Sequence, residues 1–296
     1  MDKLYLIIFY IFQFFVKNIP DFLMNPVLDF IAWLIFVFDK KHRKIIKINL
    51  DFAYGKSMEE KEKTRIIKKC YKNLVYFLAD FVKNQGITKD ELSKKVTFEN
   101  KEVLENAVKE NKKIILITAH YGNWELIALC IGAFFDKVTG VGRALEGKTI
   151  NNILKRNREQ FDIKMLDKQG AMKGMIKALK QGRILGLLVD QNTAEKEGVV
   201  VDFFEKKARQ SHSTAILSRK FGAVIIPVFI TTDDYKNYKI TFYDKITPVK
   251  SEDINKDILE LTQKQSDAME KAIRNKPDEW FWFHKKWKNQ YEEIYR

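Results

Sequence analysis

The chain has 296 residues, 46% hydrophobic and 31% charged, with 13 glycines and five prolines; this excludes a disordered chain and suits one large domain with an appendage. Lys and Arg number 53 against 39 Asp and Glu, a net charge of +14, so the protein is drawn to something anionic. No zinc-finger spacing, basic region leading into heptads or aromatic RNA-binding signature accompanies that charge, which sets nucleic acid aside and leaves an anionic membrane or an acidic substrate.

The first elements are two apolar runs, residues 4–16 and 27–38, rich in Phe and separated by Lys17, Asn18, Pro20 and Asp21. Each is shorter than the roughly 20 residues that cross a bilayer. Residues 1–38 therefore read as a hydrophobic, membrane-anchoring helical segment, either one spanning helix that borrows its flank or a hairpin in the interface. A signal peptide is set aside because no small-residue cleavage site follows. The cationic cluster Lys40, Lys41, His42, Arg43 and Lys44 comes next; such clusters stay cytoplasmic and bind anionic headgroups, so the body, residues 39–296, is expected on the cytoplasmic face of the membrane.

From Ser57 the pattern Ser-Met-Glu-Glu reads as a capping box, and Ile67, Cys70, Tyr71, Leu74, Val75 and Leu78 recur at helical spacing, which predicts one long amphipathic helix. Beyond it, Ile- and Val-rich runs alternate with helix-period segments, which predicts an α/β fold, a mostly parallel sheet flanked by helices. The candidate strands are 113–118, 137–141, 183–190 and 223–230, with a hairpin-edge strand at 238–243. Helices are expected at 124–135, 150–160, 171–181, 211–221 and 254–275. Cys70 and Cys130 sit among apolar residues and read as buried, reduced thiols. No cluster of His, Cys, Asp or Glu has metal-ligand spacing, so no metal is expected.

The most informative stretch is Thr118-Ala-His120-Tyr-Gly122-Asn123-Trp-Glu125. A buried strand ends at Thr118, and His120 follows at its carboxyl end, where open α/β sheets place ligands. Asn123 is suited to cap the next helix. On an unbroken helix His120 and Glu125 would lie about 140° apart, but Gly122 lets the chain turn so that Glu125 can reach the imidazole. A carboxylate on one ring nitrogen fixes the tautomer, and the other nitrogen can then take a proton from a hydroxyl. By residue type alone, a catalytic pair and a helix-capping histidine beside a glutamate remain equally open.

His-Tyr-Gly-Asn-Trp-Glu after a strand resembles the His-x-x-x-x-Glu signature of the lipid A late acyltransferases, a branch of the lysophospholipid and glycerophosphate acyltransferases. The likeness extends over residues 45–290: Asn49-Leu-Asp-Phe-Ala53, the helix, strand and Asp190-Gln191 segment, the aromatic turn at 201–204, Ile226-Pro-Val228, and the ending Trp280-Phe-Trp282-Phe-His284-Lys-Lys-Trp287-Lys288. Glu205 stands where that family has glycine, and Arg209 to His212 replace its polar, proline-containing segment. The resemblance implies a membrane-bound O-acyltransferase with no cofactor beyond an acyl thioester co-substrate. Its donor would be acyl carrier protein and its acceptor an anionic phosphorylated glycolipid, a lipid A precursor or, in a related branch, a mannosylated phosphoinositide. It makes His120 the general base and Glu125 its orienting partner, and puts Arg143, Arg158, Asp190, Asn123 and Gln191 at the substrate. His284 matches a position of the ending and reads as structural.

A competing motif is the phosphate-loop pattern at residues 142–149, Gly142-Arg-Ala-Leu-Glu-Gly-Lys-Thr149, after a strand and before a helix. It would make the chain a nucleotide-binding ATPase or kinase. The loop carries Arg, Leu and Glu where a backbone should approach phosphate closely.

Overall fold

The structure is a computed structural model that describes residues 2–143, 148–248 and 250–296. Two N-terminal helices, α1 (Asp2–Asn18) and α2 (Asp21–Phe38), meet at Pro20, and α3 (Lys40–Tyr54) follows. Asp39 caps α3 by accepting from the backbone N–H of His42 at 3.1 Å and pairs with the His42 ring at 2.8 Å. The predicted amphipathic helix is α4 (Glu60–Lys83), but no capping box starts it: Ser57 donates instead to the Tyr54 carbonyl. A capping box does form at α5 (Lys89–Lys95), between Thr88 and Glu91.

The hairpin of α1 and α2 lies along α4. Met24, Leu28 and Ala32, four residues apart, face Val75, Tyr76 and Ala79. Asp21 pairs with Lys83 and Asp29 with Lys72, each at 2.8 Å, and the Tyr76 hydroxyl donates to Asp29 at 2.9 Å. The opposite face is bare and apolar: Phe14 is 63% exposed, Phe22 73% and Phe30 56%. Among the described residues α2 alone is long and apolar enough to cross a membrane.

The body follows as β1 (Val96–Glu99), α6 (Glu102–Lys109), β2 (Ile114–Thr118), α7 (Trp124–Phe134), β3 (Val138–Gly142), α8 (Lys148–Arg158), β4 (Ile163–Asp167), α9 (Ala171–Lys180), β5 (Ile184–Leu188), β6 (Gly198–Phe203), β7 (Lys206–Ser211), α10 (Ser213–Phe221), β8 (Val224–Thr232), β9 (Tyr238–Phe242) and α11 (Ile254–Asn275). Seven strands form one sheet in the order β1-β9-β8-β2-β5-β3-β4, and β6 pairs with β7 in a separate hairpin. All neighbours in the sheet are parallel except β8 and β9. The expected α/β architecture is therefore present, with one correction: β9 is not an edge, because β1 pairs outside it.

Strand β2 is buried on both faces, as a central parallel strand must be. Ile114 and Leu116 enter the core with α7, and Ile115 and Ile117 enter the core with α9 and α10. A third core, rich in Phe and Trp, joins α3, α4, the β6–β7 turn and the C-terminal segment around Trp280, Trp282 and Trp287. It lies beyond the carboxyl end of β2, since Ala119 and Tyr121 belong to it.

Candidate active site

Register brings His120 together with Asp190, a residue expected at the substrate. Strands β2 and β5 run parallel with Thr118 opposite Leu188, and the Val189 N–H still donates to the Thr118 carbonyl at 3.0 Å. Two residues further on, the same register sets His120 beside Asp190. The Asp190 Oδ1 lies 2.8 Å from His120 Nδ1, and its Oδ2 accepts from the His120 backbone N–H at 3.1 Å and from the Trp280 indole at 3.0 Å. Three bonds hold the carboxylate of a side chain with no exposure.

Glu125 does not fill that place. Gly122 does turn the chain, at φ +56°, and only glycine fits, because a Cβ would stand 2.2 Å from the Ile230 carbonyl oxygen. The turn leads into α7 with Glu125 directed to Arg158, whose Nε lies 2.9 Å from Oε2 and whose Nη2 meets Oε1. The hydrogen bond of the imidazole therefore goes to Asp190 and not, as expected, to Glu125. Glu125 remains close enough for its charge to act on His120.

The other expected residues are placed as follows. Asn123 is buried and makes no capping bond to α7; its amide donates to Asp80, which also pairs with Lys95. Arg158 is paired with Glu125, while Arg143 is exposed directly after β3. Gln191, directly after Asp190, puts its amide nitrogen 3.4 Å from His120 Nε2 and 3.0 Å from His284 Nε2. Four residues of the phosphate-loop pattern, 144–147, lie outside the described residues.

Sequence reasoning missed the part played by the C-terminal segment. Phe281 donates its N–H to the His120 carbonyl at 2.8 Å, Trp280 bonds Asp190, and His284 sits with its ring centre 5.1 Å from that of His120. Lys286 is fully buried, its ammonium 5.1 Å over the Phe203 ring with no hydrogen-bond partner among the described residues. The motif-like ending Trp280 to Lys288 was the available signal, but nothing in it names its partners, Asp190 and His120, far back in the chain.

Burial and charge tune these groups in opposite directions. Burial disfavours the charged form of His120, yet the charge and hydrogen bond of Asp190, with help from Glu125, raise its pKa above the ordinary imidazole value. Burial likewise opposes the charge of Asp190, but His120, His284 and Trp280 hold its pKa well below the usual carboxylate range. His284 is lowered to about 4 by burial, with the charges of His120 and Lys286 adding. Burial brings Lys286 down to about 8, partly offset by Asp190. Cys130 is buried and its thiol pushed up, so it offers no thiolate nucleophile.

An imidazole oriented by a buried carboxylate, with its second nitrogen beside the Gln191 amide, is equipped to take a proton from a hydroxyl. Residues 2–289 match the family described as bacterial lipid A biosynthesis acyltransferase.

The chain belongs to that family.

It is an acyltransferase of lipid A biosynthesis. Relatives include the lipid A biosynthesis lauroyltransferase of Escherichia coli (strain K12), 24% identical over 87% of this chain and 82% of the relative. The palmitoleoyltransferase of the same organism is 23% identical over 86% and 81%. Among solved structures, the 1-acyl-sn-glycerophosphate acyltransferase from Thermotoga maritima aligns over 82% of this chain and 95% of its own, with 15% identity and a TM-score of 0.37. For a member of this family, the register of β2 against β5 adds a pairing that the motif alone does not contain, that of His120 with Asp190.

Proposed function

We propose that the enzyme transfers a fatty acyl group from an acyl thioester, carried by acyl carrier protein, to a hydroxyl of a phosphorylated lipid A precursor at the cytoplasmic face of the inner membrane. One observation carries the catalytic part: His120 Nδ1 is held at 2.8 Å by buried Asp190, which leaves Nε2, on the Gln191 side of the ring, to carry the lone pair. The acceptor oxygen attacks the thioester carbonyl carbon as its proton passes to Nε2. The C–O bond forms, the C–S bond breaks, and the imidazolium returns the proton to the departing thiolate. Asp190 stabilises the imidazolium while it lasts. No acyl-enzyme is needed. Arg158, fixed by Glu125 at the end of α8, is the cation for an acceptor phosphate, and Arg143, exposed directly after β3, is a second.

The membrane part rests on the hairpin. The α2 face that carries Met24, Leu28 and Ala32 is committed to α4, and its Asp29 is paired with Lys72. If α2 crossed the bilayer in this arrangement it would draw Lys72 and Lys83 of α4 into the hydrocarbon, at a cost of about 2.5–3.5 kcal/mol for each charged residue. The arrangement favours a hairpin lying in one leaflet, with Phe14, Phe22 and Phe30 among the lipid tails and the cluster at Lys40 to Lys44 at the headgroups. Incubating the purified chain with acyl carrier protein bearing a labelled acyl group and a phosphorylated lipid A precursor in mixed micelles tests the reading. A new ester on the acceptor, seen by mass spectrometry, is the expected product; hydrolysis of the thioester with no ester formed would contradict it.

A further inference from the structure

Opposite Asp190, the reacting nitrogen of His120 is met by Gln191, and Gln191 is in turn held by His284. The three groups define a line: His120 Nε2, 3.4 Å to the Gln191 amide nitrogen, then 3.0 Å to His284 Nε2. The orientation of the amide follows from Asp190. His120 donates its Nδ1–H to that carboxylate in a hydrogen bond, so Nε2 carries a lone pair and needs a donor. An amide oxygen in the same place would face a lone pair, and the NH₂ group does not. One of its hydrogens points at His120 and the other at His284, which must then present a lone pair of its own and carry its proton on Nδ1.

We propose that His284 is a positioning residue for acyl transfer, holding Gln191 so that its amide receives the acceptor hydroxyl beside His120 Nε2. This rests on the reading of His120 as the base. In the free enzyme the amide caps the base. When the acceptor arrives, its oxygen comes between the two groups, giving its hydrogen to Nε2 and accepting the Gln191 N–H that this nitrogen releases. The other N–H stays on His284, so the amide changes one partner and keeps the second. Such a tether works only while His284 is uncharged, because an imidazolium has no lone pair to offer. The groups facing it are Asp190, His120 and Lys286. Burial and the two cations outweigh the carboxylate and keep His284 neutral at the pH where His120 cycles. The backbone fixes it as well: the His284 carbonyl accepts from Asn49 at 2.7 Å and from the Lys286 N–H at 2.9 Å. The loop after Gln191 is tied to the same segment by Asn192 and Asn289 at 2.9 Å.

The test is steady-state kinetics of the full chain in micelles, with donor and acceptor varied separately, for His284→Phe, Gln191→Ala, the double variant and His284→Gln. Loss of one tether bond is expected to raise the acceptor KM about tenfold in either single variant, with the donor KM unchanged. The double variant should be no worse than Gln191→Ala, because both act through one contact. His284→Gln, whose side-chain carbonyl can accept from Gln191, should recover part of the loss. A parental acceptor KM in His284→Phe, or losses that multiply in the double variant, overturns the inference. If His284→Phe does not fold, Gln191→Ala at an exposed position decides: an unchanged acceptor KM there overturns it equally. An inactive parent chain would contradict the proposed function and this inference together, whereas an active parent with unaffected variants contradicts this inference alone.

Discussion

Replacing Asp190 by Asn separates the geometry described here from a pairing of His120 with Glu125. Asp190 Oδ2 accepts from two N–H donors, the His120 backbone and the Trp280 indole, at 3.1 and 3.0 Å. An asparagine must keep its oxygen towards those two, since turning it would set an NH₂ against both donors inside a buried site. Its NH₂ therefore faces His120 Nδ1 and donates to it. The imidazole is forced to carry its proton on Nε2, the nitrogen that must be bare to act as a base. Holding a histidine in the wrong tautomer costs a serine-protease triad about 10⁴-fold in kcat, and a loss on the order of 10³ to 10⁴ is expected here while the fold persists. The pH profile supplies a second, opposite change. His120 works when neutral, and Asp190 raises its pKa, so the parental rate falls on acidification through a value above that of an ordinary imidazole. With the carboxylate gone, burial acts on His120 with less opposition and the acid limb moves to lower pH. Ester formation followed by mass spectrometry across pH 5 to 9, with melting curves for both proteins, measures both effects. An Asp190→Asn enzyme within tenfold of parental kcat, or one whose acid limb stays in place, would refute the pairing.

Glu125→Gln weakens the anchor of Arg158 and removes a charge that helps raise the His120 pKa, but leaves the His120–Asp190 bond intact, so its acid limb should move to lower pH by less than in Asp190→Asn while the acceptor KM rises; a limb displaced as far as in Asp190→Asn would return Glu125 to the imidazole. Arg158→Ala should raise the KM for a phosphorylated acceptor at least tenfold and abolish any preference over its dephosphorylated form, which competition between the two acceptors would measure. Phe14→Asp, Phe22→Asp and Phe30→Asp combined remove three side chains worth about 1.5–3 kcal/mol each when buried in lipid, on the order of 5 kcal/mol together; the variant should stop co-sedimenting with vesicles of anionic lipid, and unchanged sedimentation would put the membrane contact elsewhere. Asp80→Ala removes the carboxylate partner of Lys95, which keeps the Asn84 amide oxygen at 2.9 Å, and removes the Asp80 acceptor of Asn123; it should cost about 3–5 kcal/mol of stability, read as a lowered denaturant midpoint.

Much of the fold was legible because its strands are continuous apolar runs and its long helices keep a clean period. Helix α11 occupies Ile254–Asn275, the range its periodicity and flanking residues define. The elements that were missed lack such signals. Strand β4 is broken as an apolar run by Lys164, ends in Asp167, and follows two residues with positive φ, Phe161 and Asp162. The β6–β7 hairpin turns at Phe204 and Glu205, both left-handed at φ 54° and 59°, without the Asn-Gly or Asp-Gly pair that marks such turns. In the site, His120 was legible from its place after a buried strand, because that depends on neighbours in sequence. Its partner was not, because the nearer carboxylate, Glu125, satisfies the same local reasoning as Asp190. The choice between them is made by strand register across 70 residues and by the direction of the turn at Gly122. Trp280, His284 and Lys286 reach the site from the far end of the chain for the same reason.

The most direct measurement is acyl transfer by His120→Ala beside the parent, with the same donor and acceptor and with folding and membrane binding checked in parallel. The imidazole is partly exposed at a strand end and contributes little to the core, so the variant should fold and bind lipid as the parent does. Transfer should fall by at least the 10²- to 10⁴-fold typical of a positioned general base, and the acid limb should vanish from whatever activity remains. A folded, membrane-bound His120→Ala enzyme that forms the ester at near-parental rate would contradict the account.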